Sequence, residues 1–439
     1  MTAPENAPRT WSRLALIWAL YYLAAFTLGQ NPQYMQQTIW LGAGLVGLFT
    51  LPVFGRFIRF RHVPREGILL LLFLLWTVPG GMGVANPTLF ARHFQMLFEF
   101  TMIVIFVSVI LKYSGASKWF FLAYFGVAIL RVIFGEEPIS IEHIASTKTV
   151  ARIDAANAVG YYCAMGIVGI LALMREIKSI WLRGLLVAGG GVALYGVVLS
   201  ASRGAMVALM ATAILWPTLC LVGGSRFKLK GVIGAVLVLI LSYWVFQWIV
   251  QDTYMGVRFT RATQLEDGSS QKRLEFFFIG MRIFASNPVF GCGLGQFGDV
   301  SGTGFYAHNE FTEIASTTGL PGLLLYYSVY FLAWRRLTWS LQWLGDPLIR
   351  YRINIVRMIL LILLISGSLS RPIFLTQDAM FLVGIVVGMA HWAERMARQA
   401  RGGAPAATVP DMPSMGFPPP VPRDASPFLL PMPPRGDWT

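Results

Sequence analysis

The chain has 439 residues, of which 56% are hydrophobic and only 13% charged, with a mean hydropathy of +0.61. A soluble domain carries about 25% charged residues, so an ordinary soluble enzyme is excluded and a polytopic membrane protein is predicted. The formal charge of +14 reads as lysine and arginine gathered in cytoplasmic loops and not as a nucleic-acid surface, while three cysteines without a Cys-x-x-Cys pair give neither a disulfide framework nor a metal signature.

Arg9 and Arg13 precede an apolar run with no convincing small-residue cleavage site, so the N-terminal segment reads as a retained first helix. A spanning helix needs about 20 mostly apolar residues. On that criterion twelve segments qualify. They are Leu14–Leu28, Ile39–Phe54, Gly67–Val84, Phe94–Leu111, Trp119–Phe134, Ala156–Leu173, Leu182–Leu199, Gly204–Leu221, Val232–Val250, Gly319–Ala333, Met358–Leu369 and Gln377–Trp392. The loops after every even-numbered segment are basic, as in Arg56, Arg59, Arg61 and Arg65 after the second, or Arg335, Arg336, Arg350 and Arg352 after the tenth. Those loops and both termini are therefore predicted to be cytoplasmic. From Gly402 onward the chain holds 11 of its 24 prolines and reads as a disordered cytoplasmic tail, residues 402–439, behind a membrane domain of residues 1–401.

The same alternation puts a polar stretch, Gln251 to Thr318, on the outer side. It holds Arg258, Arg261, Lys272, Arg273 and Arg282, the run Gly291-Cys292-Gly293-Leu294-Gly295, and His308-Asn309-Glu310. Charge and irregular backbone at this density belong outside the hydrocarbon or around an aqueous cavity. Gln271–Ser286 reads as an amphipathic surface helix with Leu274, Phe277, Phe278, Met281 and Phe284 on its apolar face, ended by Asn287-Pro288. Its arginines meet either lipid headgroups or a ligand. The glycine run is a tight loop whose N–H groups approach either a ligand or a neighbouring helix, or else a plain turn. Two other outer positions join the stretch: Arg203, flanked by the small residues of Ser200-Ala201-Ser202 and Gly204-Ala205, and Arg371. An arginine at a helix end can simply snorkel. Together, Arg203, Arg258, Arg261, Arg273 and Arg371 could converge on one anionic group, since the guanidinium fork suits phosphate oxygens. Of the outward histidines His93, His143 and His308, only His308 lies in the polar stretch, where a neutral imidazole could take a proton from a hydroxyl.

In order, these motifs are Ser202-Arg203-Gly204-Ala205, then Arg273, Asn287-Pro288-Val289-Phe290-Gly291-Cys292-Gly293-Leu294-Gly295-Gln296-Phe297, His308-Asn309-Glu310-Phe311-Thr312-Glu313 and Thr318-Gly319-Leu320-Pro321-Gly322-Leu323. The series resembles the O-antigen ligase / O-antigen polymerase superfamily of bacterial membrane glycosyltransferases, and Asn157 resembles an asparagine often found there. The resemblance implies an all-α, GT-C-like membrane fold of about 12 transmembrane helices, with short helices in a large periplasmic loop, in the bacterial inner membrane. It implies an undecaprenyl-diphosphate-linked glycan donor, a lipid A-core acceptor and metal-independent chemistry with no cofactor. His308 would be the general base and Arg203, Arg258 and Arg273 would bind the diphosphate, with Arg261, Arg371, Asn309, Gln296 and Asn157 in support. No Asp-x-Asp pair occurs in the outer loops, although Glu136, Glu137 and Asp154 leave a cation site open. The polymerase branch is associated with paired Arg-x10-Gly patterns, of which only Arg282 to Gly293 occurs among the outward arginines. The protein O-oligosaccharyltransferase branch carries a further C-terminal region, where this chain has a proline-rich tail. A ligase is therefore favoured within the superfamily. From another class, a flippase for an anionic lipid would suit twelve spans equally, but charges within the spans are sparse and no pair of broken spans stands in corresponding halves.

Overall fold

The computed structural model describes residues 7–28, 44, 46–55, 62–134, 150–200, 202–222, 229–252, 256, 268–369 and 377–402. Among the described residues there are helices, turns and no strand. In chain order the helices are α1 (Ala7–Leu28), α2 (Val46–Gly55), α3 (Arg65–Gly80), α4 (Pro87–Ser114), α5 (Lys118–Phe134), α6 (Val150–Met174) and α7 (Ile180–Leu199). After them come α8 (Arg203–Val222), α9 (Leu229–Asp252), α10 (Gly268–Ser286), α11 (Phe297–Ser301), α12 (Glu310–Trp343), α13 (Pro347–Leu369) and α14 (Gln377–Gly402). Each apolar segment named above falls on a helix so far as it is described, the first nine on α1 to α9 and the last three on α12 to α14. The tail from residue 403 lies outside the described residues.

Among the described residues three helices are long and apolar enough on their own to cross a bilayer: Pro87–Ser114, Ile180–Leu199 and Ala379–Gly402. The surface of the others also fits lipid. On α9 the exposed side chains Ile233, Val236, Leu237, Ile240 and Trp244 follow helical spacing on one outward face. Water would not tolerate so long an apolar row, whereas hydrocarbon favours it. Among the predicted segments, Met358–Leu369 is much shorter than its helix. The apolar count stops at Arg357, but α13 extends back to Pro347 because its basic side chains are satisfied. Arg352 pairs with Glu176 at 2.8 Å and Arg350 donates to the carbonyls of Leu341 and Leu344 at 2.6 and 3.0 Å.

Helix packing rests on small residues and aromatics. Gly384 and Gly388, four apart on α14, let it lie directly on α4, where a β-carbon at either glycine would come within 3 Å of Val107 or of Ser108 and Leu111. Buried Tyr22 on α1 packs against Phe26, Tyr124 and Phe381 with ring centroids 4.5, 4.3 and 4.9 Å apart. Two hydrogen bonds fix the course of α13. Asn354 donates to the Leu219 carbonyl at 3.0 Å and the Tyr351 hydroxyl donates to Leu171. The first places the start of α13 beside the end of α8 remote from Arg203, the second places it beside the end of α6, and α13 packs along α8. The far end of α13, with Ser368, therefore returns toward the Arg203 side.

One helix organises the region around the glycine run. α12 is broken at Gly319, whose φ of 69° and ψ of −172° are not helical. Pro321 has no N–H to give. In a continuous helix the carbonyls of Ser316, Thr317 and Thr318 would accept from residues 320 to 322. Here they accept from Cys292 N at 2.8 Å, Gly293 N at 3.1 Å and Trp76 Nε1 at 2.9 Å, while Leu320 N donates to the Pro288 carbonyl at 2.8 Å. The break is thus satisfied group by group, as buried irregular backbone must be. At its other end α12 carries Arg336, which binds Glu66 of α3 at 2.8 Å and also Glu394 of α14.

Candidate active site

The glycine run is the partner of that broken helix. Gly291, Gly293 and Gly295 all have positive φ. A β-carbon on Gly291 would sit 2.4 Å from the Thr317 carbonyl carbon, and one on Gly295 would sit 2.5 Å from the His93 ring. Of the readings open in the sequence, close approach to a helix is the one observed, since the N–H groups of Cys292 and Gly293 are used by α12. Phe290 adds a ring stacked on Trp76 at 5.0 Å. Gln296 belongs to the same frame. It is fully buried, accepts from Asn86 N at 3.0 Å and donates to the Asn86 carbonyl at 2.9 Å. It ties the loop to the start of α4.

α10 is helical as expected and ends at Ser286 before Asn287-Pro288. Its protein-facing stripe is distinct from the apolar face of the sequence pattern. Phe276, Gly280 and Ile283 face the protein, whereas Leu274 and Phe278 are exposed. Gly280 lets Thr312 of α12 approach so closely that a β-carbon would be 2.1 Å from its methyl. Arg273 lies three residues before Phe276, so it continues this inward stripe by one turn, while Lys272 and Arg282 are exposed. That phase separates Arg273 from its neighbouring cations.

The inward stripe meets His308. The imidazole stacks on Phe276 with centroids 6.0 Å apart and planes 15° apart, and Tyr306 lies 4.1 Å away. Burial, and after it the Arg273 guanidinium, pull the His308 pKa from 6.5 down to about 4. The ring is therefore neutral at pH 7 and able to accept a proton. His308 is also, among the described residues, the only one other than glycine with a positive φ, at 54°. Left-handed backbone in a residue with a β-carbon persists only where the surroundings hold it, and it clusters at functional sites. On one side Ala307 N donates to Glu313 Oε2 at 2.7 Å. On the other, Asn309 caps α12, accepting from Thr312 N at 3.0 Å and donating to the Ser368 carbonyl at 2.7 Å. Asn309 thus supports the site by fixing its backbone and joining it to α13.

Arg203 is the first residue of α8, behind Ser202, whose hydroxyl accepts from Ala205 N at 3.3 Å. The small residues around it serve packing. Gly160 of α6 approaches so closely that a β-carbon there would come 2.3 Å from Ser200 Oγ and 2.9 Å from Ser202 and Ala205. A cation at a helix N-terminus is opposed by the helix dipole, and the same dipole attracts an anion. The structure therefore brings Arg273, His308 and Asn309 into one site. It sets Arg203 on α8, which packs on α13, whose Ser368 holds Asn309. Arg258, Arg261 and Arg371 lie outside the described residues, as do the side chain of Asn157 and all of Glu136, Glu137 and His143. Among the described residues no group of three or more His, Cys, Asp or Glu is placed to hold a metal ion. Sequence reasoning missed Glu313, Phe276, Tyr306 and Trp76. For Glu313 alone a signal existed, a carboxylate in the first turn after an Asn cap.

A helical membrane protein with a neutral histidine and an arginine gathered beside a broken helix is the class that this fold and site define. Residues 188–327, about a third of the chain, match the family model described as O-antigen ligase. The matched segment runs from α7 to Tyr327 of α12, so it contains Arg203, Arg273, the glycine run and His308. Over that segment the chain is similar to the O-antigen ligase family, as its motifs suggest. No curated protein matches it.

Proposed function

We propose that this protein is an O-antigen ligase that transfers glycan from an undecaprenyl-diphosphate carrier to a sugar hydroxyl of lipid A-core. It works as a twelve-span inner-membrane enzyme of GT-C-like architecture, with both termini in the cytoplasm and its site facing the periplasm. Neutral His308 accepts the proton of the acceptor hydroxyl. The hydroxyl oxygen bonds to the anomeric carbon of the donor, the bond from that carbon to the phosphate oxygen breaks, and the lipid diphosphate departs with the electron pair. Arg273 and Arg203, joined by Arg258, hold the diphosphate and stabilise its growing charge. Arg261 and Arg371 add to the positive field, with Asn157 in support. The reaction is written without a metal, as the resemblance implies.

The observation that carries this reading is the neutral His308 beside Arg273 within the segment that matches the O-antigen ligase family. The return of α13 supports a place for Arg203 in the same site, because it brings the Ser368–Asn309 tie toward the N-terminus of α8. A general base contributes about 10²–10⁴-fold. Purified protein given lipid-linked glycan and lipid A-core should form the conjugate, and His308→Ala should lower the rate by about that factor. A His308→Ala protein at full rate would remove the base from this scheme. Lengthening of the lipid-linked glycan itself, with no transfer to lipid A-core, would replace the ligase reading with a polymerase.

A further inference from the structure

We propose that Glu313 is the positioning residue for His308, holding the peptide before it so that the left-handed turn and the imidazole stay in place. The inference rests on the reading of His308 as general base. Between Ala307 and Asn309 the chain has one free joint, His308 itself. Asn309 is anchored to α12 and α13, and Ala307 is anchored by Glu313. The left-handed conformation of residue 308 is strained, so releasing one anchor lets it relax to negative φ and carries the ring away from Arg273 and Phe276.

A carboxylate is an expensive choice for this task. Glu313 is 2% exposed, and buried charge is costly. Leucine would fill the space, and glutamine would supply a neutral acceptor. What the carboxylate adds is a charge-assisted bond to Ala307 N, roughly twice as strong as a neutral one. Its backbone is fixed too, since the hydroxyls of Ser316 and Thr317 donate to the Glu313 carbonyl at 3.2 and 2.5 Å. The titratable and charged groups around it are Cys292 of the glycine loop, Glu310 on the same turn, and His308 with Arg273 beyond the Ala307 bond. Burial raises the Glu313 pKa to about 7, against the lowering effect of the Ala307 N–H. The stronger bond is therefore present above about pH 7 and weakens as the carboxylate protonates below it. His308 protonates only near 4, so the two groups act in separate pH windows.

The test uses the full-length protein, the transfer assay and hydrogen exchange of the peptide covering residues 305–309. Glu313→Ala should lower kcat about tenfold to a hundredfold with the donor KM unchanged, and should speed exchange of that peptide. Glu313→Gln keeps an acceptor oxygen, and should restore most of the lost turnover and the protection. A protonated Glu313 offers that same acceptor oxygen, so turnover in both the wild type and Glu313→Gln should change only slightly through pH 7 and fall near 4. Wild-type kcat and exchange in Glu313→Ala would overturn the proposal, as would a Glu313→Gln protein that keeps wild-type kcat with peptide 305–309 unprotected, a result that decides by itself if the Ala variant does not fold. Full activity in His308→Ala would sink the general-base reading, whereas the exchange data report on the Glu313 anchor whatever that result.

Discussion

The two ends of α12 bury carboxylates in different ways. At the Arg336 end, Glu66 lies between Arg336 at 2.8 Å and His391 at 2.6 Å, and Glu394 bridges Arg336 and Arg398, the latter at 2.7 Å. Charges are matched by charges, and α3, α12 and α14 are locked together. At the Glu310 end, Glu313 accepts a backbone N–H, and Glu310 accepts the Tyr326 hydroxyl at 2.5 Å, which in turn accepts from Tyr330 at 2.9 Å. Beside them stand a strained His308 backbone, a broken helix, and two groups whose pKa values are displaced in opposite directions, to about 4 and about 7. One end of the helix spends its polar groups on rigidity. The other keeps them adjustable, which is how groups that move protons are recognised.

The largest effect that can break this contrast is expected from Arg336→Ala. It leaves Glu66, which has no exposed surface, with His391 as its remaining partner, and removes one partner of Glu394. Breaking a buried pair from one side costs about 3–5 kcal/mol, so thermal unfolding in detergent should shift down strongly. Transfer measured well below the new midpoint should persist. A change under about 1 kcal/mol, within the range of exposed pairs, would mean that the Arg336 end is no anchor. Gly319→Ala should come next. The left-handed φ alone costs about 1–3 kcal/mol, and the new methyl would meet the Val289 carbonyl oxygen at 2.1 Å. Here stability and transfer should fall together, because the glycine loop and the turn before His308 share that frame. Loss of stability with normal transfer would separate the break from the site.

These differences also mark what the sequence makes legible. The apolar segments are plain because about 20 residues without charge have few other uses. Their ends are less plain, since Arg350 and Arg352 lie inside α13 and are satisfied by carbonyls and Glu176 that no local pattern announces. The helix at α10 is readable from its spacing, but its inward face is not. Near a bilayer both faces are apolar, so periodicity cannot distinguish protein from lipid, and Gly280 in the buried stripe carries no hydrophobic signal at all. Trp76 meets Thr318 across 242 positions, and Asn86 meets Gln296 across 210. Such ties depend on tertiary structure alone. His308 and Asn309 stand out earlier because a histidine before an Asn cap and a Gly-Pro-interrupted helix is chemically odd in an apolar chain.

The smallest of the expected effects is also the most specific. Arg273 is the second cause, after burial, of the low His308 pKa. Arg273→Gln removes a positive charge that opposes protonation and leaves the burial in place. The pKa should therefore rise from about 4 part of the way toward 6.5. His308 in the folded protein stays neutral where an exposed histidine would be charged. Its contribution to stability is thus present above about 6.5 and lost as pH falls toward 4, and the variant should shift the lower edge of that window upward. Titration of the imidazole by NMR, with the acid limb of the transfer rate beside it, reads the change without reference to the donor. If the limb moves up while donor KM also rises, Arg273 acts on both proton and phosphate. If the titration does not move at all, the guanidinium lies too far from the ring to belong to its chemistry, and burial by Phe276 and Tyr306 must account for the neutral histidine alone.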